Sequence, residues 1–340
     1  ELVENKNLEK SLIKLIRDAE KYLSNHIDYV DILYDTSQFN YIDLSIKKSF
    51  DQNINIKKIY KNLIEEANFI IKENHFKDQV IHIIINNIII DEDKKIEIIT
   101  EDIKIKSIIL EIKFICLSKS LINDVSETFK KNNLNISNVY CSSYVKSCFY
   151  KKSFKNEKNL IFLDIGFQRS SAWFFINDKL NNLSSVPIGG NNITKDISKI
   201  LKLSINYSEN LKINFNKQIF DTYKTGKNSS DNLNLYKEIF EKNISIDLLK
   251  KIIHSRVEEI IELTIYKNSF FQKSNLLEKP VLIFIGSGAK LLSNTYNFNA
   301  KNTFSELVFF DENDSMICEA GLSYKMSDEG HLTLAKNKSK

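Results

Sequence analysis

All eight glycines of this 340-residue chain, at positions 166, 189, 190, 226, 286, 288, 321 and 330, lie in its second half. A backbone that passes close to a phosphate, or turns through left-handed dihedrals, generally needs glycine. Any backbone cradle for an anionic ligand is therefore confined to residues after 160. Two of these glycines, Gly166 and Gly286, follow buried strand-like runs at 160–165 and 281–285, and Gly189-Gly190 stands directly before a helical pattern. Strands that end in glycine turns ahead of helices place the chain in the α/β class.

The length suffices for two or three compact units. A hydrophobic content of 42% with 27% charged residues is ordinary for a globular protein. The 48 basic and 44 acidic residues leave a net charge of +4, too dilute for nucleic acid, which calls for a concentrated basic face. Lys336, Lys338 and Lys340 read as a solvated end. Cys116, Cys141, Cys148 and Cys318 lack metal-type spacing and are expected as buried thiols in a reducing cytosol. The run 81–90 is broken by His82, Asn86 and Asn87, so no transmembrane span is expected, and no secretory signal is visible. A soluble protein follows. The start at Glu1 instead of Met points to a lost N-terminal segment.

Along the first half, Leu8, Leu12, Leu15, Ala19 and Leu23 predict a helix, 27–34 a strand, and Ile42, Leu44 and Ile46 a half-buried strand. Ile56, Ile59, Leu63, Ala67 and Ile70 predict a second amphipathic helix. Branched residues then dominate, with strands expected at 80–85, 88–90, 96–99 and 108–117, a helix near 119–131 and a strand near 136–140. That order suggests a small α+β insert. The second half reads as strands at 160–165, 172–176 and 183–188 and helices at 192–202 and 246–266. A polar loop is expected at 223–232 and a buried strand at 281–285.

Four constellations carry candidate chemistry. Asp164 at the end of LIFLDIG sets a carboxylate beside the exposed N–H groups of the Gly166 turn. This suits an indirect Mg²⁺ contact with phosphate on the backbone, although such a turn is more often only a turn. Gly189, Gly190 and Asn191 lead into a helix whose first N–H groups would form an anion site; equally, the segment is a β–α turn capped by Asn192 or Thr194. Glu209 and Lys212 share a helix face, either as a surface ion pair or as groups for a ribose hydroxyl and a base. Gly286, Ser287, Gly288 and Ala289 end a buried strand and offer a flat surface for an adenosine. No general base stands out: His82 and His254 read as packed or surface histidines, and Trp173 as core.

The order of these pieces resembles the actin/Hsp70/sugar-kinase ATPases, and in detail the bacterial cell-division family FtsA. The matching residues are 189–197, 208–212, the Arg-x-x-Glu-Ile of 252–260 and Ala320-Gly321-Leu322. The resemblance implies an actin-like ATPase fold of ribonuclease H-like lobes with an inserted, SHS2-like α+β subdomain. On that pattern 1–50 is the remainder of the first lobe, 51–136 the insert and 137–157 the return to the first lobe. The second lobe takes 158–202 and 269–326 around subdomain 203–268, and 327–340 is a disordered tail.

The same resemblance implies ATP with Mg²⁺ as cofactors, bound by Asp164, Gly166, Ser170, Gly189, Gly190, Asn191, Glu209, Lys212 and 286–289. It also implies self-association into filaments, and docking of the FtsZ C-terminal peptide on 203–268, where Lys250, Lys251 and Arg256 offer cations. Its localisation would be the inner face of the cell membrane at the division site, with at most weak ATPase activity. Pilus adaptors of the PilM kind and sugar-kinase-type enzymes are the alternatives. Three departures stand out. The family's first phosphate hairpin is absent, and at its second phosphate loop Phe167, Gln168, Arg169 and Ser170 replace the usual Gly-Gly-Thr-Thr. The stretch 326–340 has too few large apolar residues for a membrane helix. Phe167 would crowd a γ-phosphate, while Arg169 would partly offset this.

Overall fold

The computed structural model describes residues 2–91, 94–96, 99, 103–214, 244–274, 278–292 and 303–327. The loop expected at 223–232 and the tail beyond 327 lie outside them. The described residues divide into two compact units, one drawn from 1–34, 38–145 and 321–340 and the other from 35–37 and 146–320.

In the first unit, helix α1 (Leu2–Leu23) precedes strand β1 (Tyr29–Tyr34), which pairs in parallel with β6 (Asn135–Cys141). Between them lie β2 (Asn40–Asn55), α2 (Ile56–Asn74), β3 (Asp78–Ile90), β4 (Lys94–Ile96), β5 (Lys104–Ser118) and α3 (Lys119–Lys130). The four strands form an antiparallel sheet in the order β2-β5-β3-β4. Asn55 starts α2 by accepting a hydrogen bond from the Lys57 N–H, and Ile56, Leu63, Ala67 and Ile71 line its buried face. That face packs on Ile83, Ile105, Leu110, Ile112 and Phe114 of the sheet.

The two strands expected at 80–85 and 88–90 are one. Register shifts at Val80/His82 and Ile85/Asn87 let β3 run through, because bulges absorb the polar interruptions in a branched run. His82 is fully buried: Nε2 accepts from the Cys141 N–H at 2.8 Å, so Nδ1 carries the proton facing Tyr324 Oη at 2.8 Å.

The later elements are α4 (Ser142–Lys151), which the sequence reading passed over, β7 (Asn159–Ile165), β8 (Ser170–Ile176) and β9 (Lys179–Val186). Then come α5 (Gly190–Leu201), α6 (Ile205–Asn214), α7 (Ile246–Ile261), continued by a π-turn (Glu262–Tyr266), and α8 (Ser269–Lys273). Strand β10 (Val281–Ile285), a 3₁₀ turn (Ser287–Leu291), β11 (Leu307–Phe309) and α9 (Asp314–Lys325) complete the set. Their sheet has the order β11-β10-β7-β8-β9. The β7–β8–β9 meander is antiparallel, and β10 and β11 add in parallel on the other side of β7. Both β7 and β10 are buried along their whole length, which explains the apolar runs at 160–163 and 281–285. Ile193 and Ile197 of α5 and Leu249, Ile253, Val257 and Ile260 of α7 share one core with this sheet. Trp173 is also fully buried. Of the cysteines expected inside, Cys116 and Cys141 are buried, Cys148 is half-buried, and Cys318 is exposed, a correction.

Candidate functional site

Strand β7 delivers Asp164 to its C-terminal end, where the carboxylate is buried and already engaged. Lys146 Nζ lies 3.1 Å from Asp164 Oδ2 and 3.1 Å from Glu312 Oε2. Glu312 Oε2 also accepts from the Gly286 N–H at 2.7 Å. Burial alone would lower the Lys146 pKa, but Asp164 and then Glu312 outweigh it and hold the ammonium above the usual lysine value. The neighbouring Tyr150 phenol is pushed up, first by burial and then by Glu312. Gly286 has φ +85°, and a Cβ there would collide with Asp164 Oδ1. Glycine is needed at this strand end for close approach to a carboxylate of the chain itself.

The next turn is also closed from within. Arg169 is buried and its guanidinium pairs with Asp35, whose Oδ2 would lie 2.8 Å from a Cβ on Gly166. Burial raises the Asp35 pKa; the Arg169 charge opposes that shift and the Asp164 charge adds to it. Ser170 Oγ donates to the Ile188 carbonyl at 2.7 Å. The first N–H groups of α5, expected to be open to an anion, are spent: Gly190 N–H donates to Gly166 O at 2.9 Å and Asn191 N–H to Phe167 O at 2.7 Å. Asn192 Oδ1 accepts from the Gly189 N–H at 3.1 Å. The two glycine segments thus fit against each other, not around a free anion.

A pocket of about 460 Å³ opens beside this closed centre. Of the residues singled out in the sequence, Gly190, Glu209, Lys212, Ser287, Gly288 and Ala289 line it. Asp164, Gly166, Ser170, Gly189, Asn191 and Gly286 do not. Phe167, Ile213, Lys290, Leu291, Phe309, Phe310 and Asp311 complete the wall. The helix expected after Gly-Ser-Gly is a single 3₁₀ turn. Lys212 is drawn inward, its Nζ donating to Gly190 O at 3.0 Å, Thr194 Oγ1 at 2.8 Å and Glu209 Oε2 at 2.7 Å. It braces α6 against the start of α5, while Glu209 remains about a third exposed at the pocket wall.

These residues fit the two expected cofactor parts unequally. The volume and mixed lining suit a nucleoside. A hydrated Mg²⁺ at Asp164 does not fit, because Lys146 already takes one carboxylate oxygen and Gly286 packs on the other. Among the described residues no cluster of three or more His, Cys, Asp or Glu side chains is arranged for a metal.

On α7, Arg256 is committed within the chain, to Asp196 on α5 and to Glu259. Lys251 is exposed and Lys250 half-buried. Sequence reasoning missed Asp35, Lys146 and Glu312. The only hint was a lysine inside the otherwise uncharged run 142–150.

A model of the family described as Cell division protein FtsA matches residues 161–303. The Cell division protein FtsA of Buchnera aphidicola subsp. Schizaphis graminum (strain Sg) is 23% identical over 223 residues, 64% of this chain and 51% of that protein. That of Neisseria meningitidis serogroup B (strain ATCC BAA-335 / MC58) is 28% identical over 152 residues, 43% of this chain and 35% of that protein. The chain thus spans about half or less of the length of these curated relatives. Among solved structures, a PilM-PilN type IV pilus biogenesis complex aligns with a TM-score of 0.51 at 13% identity, covering 97% of this chain and 85% of that one. The chain is FtsA-like in sequence over 161–303 and has an actin-like fold. Among the described residues, no helix is long and apolar enough to cross a membrane.

Proposed function

We propose that this FtsA-like chain is an adaptor of bacterial cell division that works by docking partners more than by turning over ATP. In this reading it is a cytoplasmic protein, peripheral on the inner face of the cell membrane at the division site. It links FtsZ filaments to the membrane, self-associates into filaments and helps assemble the division machinery. The observation that carries the reading is the family match across 161–303, the stretch that builds β7, the Gly166 and Gly189 turns and most of the pocket. The pocket supports binding of the adenosine part of ATP. Mg²⁺ is not supported at Asp164, so hydrolysis is at most slow.

The docking surface in this proposal is α7 within 203–268. Lys251 and Lys250 are the cations left for an acidic-apolar C-terminal peptide of FtsZ, and Arg256 holds the helix in place. Fluorescence anisotropy with that peptide from the same organism tests it. Saturable binding weakened by Lys250→Glu/Lys251→Glu is the expected result; a flat titration rejects the docking site. A pilus adaptor of the PilM kind is the second reading, favoured by the structural alignment over 97% of the chain. A downstream FtsZ gene or neighbouring pilus genes discriminate the two.

A further inference from the structure

Five ionisable groups meet where β7 ends: Asp35, Lys146, Asp164, Arg169 and Glu312. Lys146, Asp164, Arg169 and Glu312 are each at least nine-tenths buried, and together the five carry a formal charge of −1 (three carboxylates, two cations). The arrangement is ordered, not merely crowded. Lys146 sits between two carboxylates at 3.1 Å each, while Asp35 presses its carboxylate on the Gly166 backbone and is held there by Arg169. Buried carboxylates so close together need a cation. A bound divalent ion is one solution; an ammonium from the chain is the other.

We infer that the Lys146 ammonium is a built-in counter-ion that stands in the place of a divalent metal between Asp164 and Glu312, with Asp35 filling the adjoining anion position at the Gly166 turn. The ammonium then answers Asp164 Oδ2 and Glu312 Oε2 without metal or phosphate, while Glu312 Oε1 stays buried without a hydrogen-bond partner. A ligand entering the adjacent pocket meets no metal. That consequence rests on the nucleoside pocket of the proposed function; the assignment of Lys146 does not. The site is specific in its chemistry, because a lysine brings one charge and three donors on a flexible stem, and both carboxylates lie within its reach.

The assignment predicts a latent divalent-cation site that appears when the ammonium is removed. Mn²⁺ alone, followed by electron paramagnetic resonance of the free ion, reads it directly in the full chain. Wild type should leave the Mn²⁺ signal unchanged, as should Lys146→Arg. Lys146→Ser should take up Mn²⁺ at least about tenfold more tightly, and Asp164→Asn in that background should abolish the uptake. Retained circular dichroism of each variant shows that it is folded. Stoichiometric Mn²⁺ binding by wild type that Asp164→Asn removes overturns the assignment, and so does a folded Lys146→Ser protein that takes up none. If Lys146→Ser does not fold, the decision falls to wild type and to Asp164→Asn alone. Neither result depends on nucleotide or peptide binding, so failure here is distinct from failure of the adaptor reading.

Discussion

Arg256 on α7 grips Asp196 on α5 at two points, Nε donating to Oδ2 at 2.7 Å and Nη2 to Oδ1 at 3.0 Å. Those hydrogen bonds are the first cause that raises its pKa above the usual arginine value. The pair is about three-quarters buried, so it is neither a fully screened surface bridge nor a fully desolvated one. Arg256→Ala should cost about 1.5 kcal/mol. Urea denaturation reads this as a lower midpoint at unchanged slope. If an Arg256→Ala/Asp196→Ala cycle gives no coupling, the helices are held by their apolar core alone.

Gly189 supplies a sharper steric test. A Cβ there would lie 2.5 Å from Gly166 O and 2.8 Å from both Arg169 N and Phe167 O, all backbone atoms that cannot swing aside. Gly189→Ala should destabilise by about 2 kcal/mol or more. At the adjacent Gly190, the nearest atom is Lys212 Nζ at 3.4 Å, an ordinary van der Waals distance, so Gly190→Ala should stay near wild type. Equal thermal shifts in the two variants would contradict the close approach of the glycine segments.

Arg169 is expected to act through charge. Replacing it with Met leaves the Asp35 carboxylate without its cation and raises the Asp35 pKa further above 3.8. A carboxyl whose pKa is raised by folding contributes stability at low pH, and that contribution disappears as pH rises through the folded value. The deficit of Arg169→Met relative to wild type should therefore be largest at neutral pH and shrink toward pH 4, and Asp35→Asn should rescue it. A pH-independent deficit would assign Arg169 to packing.

The glycine turns and the strands at 160–165 and 281–285 were legible because each is a local pattern: a buried run ending at a residue without a side chain. The charged plug was not. Arg169 meets a carboxylate 134 positions away, and Lys146 meets one 166 positions away. Only the sheet brings such residues together, and no periodicity announces it. The same limit explains the reading of Gly189-Gly190: a glycine pair before a helix looks identical whether its N–H groups face a phosphate or the carbonyls of Gly166 and Phe167. Asn86-Asn87 looked like a strand break because a bulge that absorbs a polar pair leaves no mark in the sequence.

Tyr140 provides a test in the first unit. Burial first, and then Asp31, push its pKa up to about 12. A phenol with a raised pKa contributes stability that is full below pH 10 and is lost as pH climbs through the folded value. Denaturation midpoints between these limits should fall less steeply in Tyr140→Phe than in wild type, and phenolate absorbance at 295 nm should show one late-titrating group missing from the variant. Identical pH slopes would show that Tyr140 titrates as an ordinary tyrosine.

The central claim is that the pocket beside β7 is open to a nucleoside while its phosphate and metal side is closed by the chain's own charges. Isothermal titration calorimetry with adenosine, then with ATP in the presence of Mg²⁺ or of EDTA, measures it most directly. The account predicts weak affinities that agree within about threefold across the three ligand conditions. Micromolar or tighter binding of Mg-ATP, lost on adding EDTA, would contradict it.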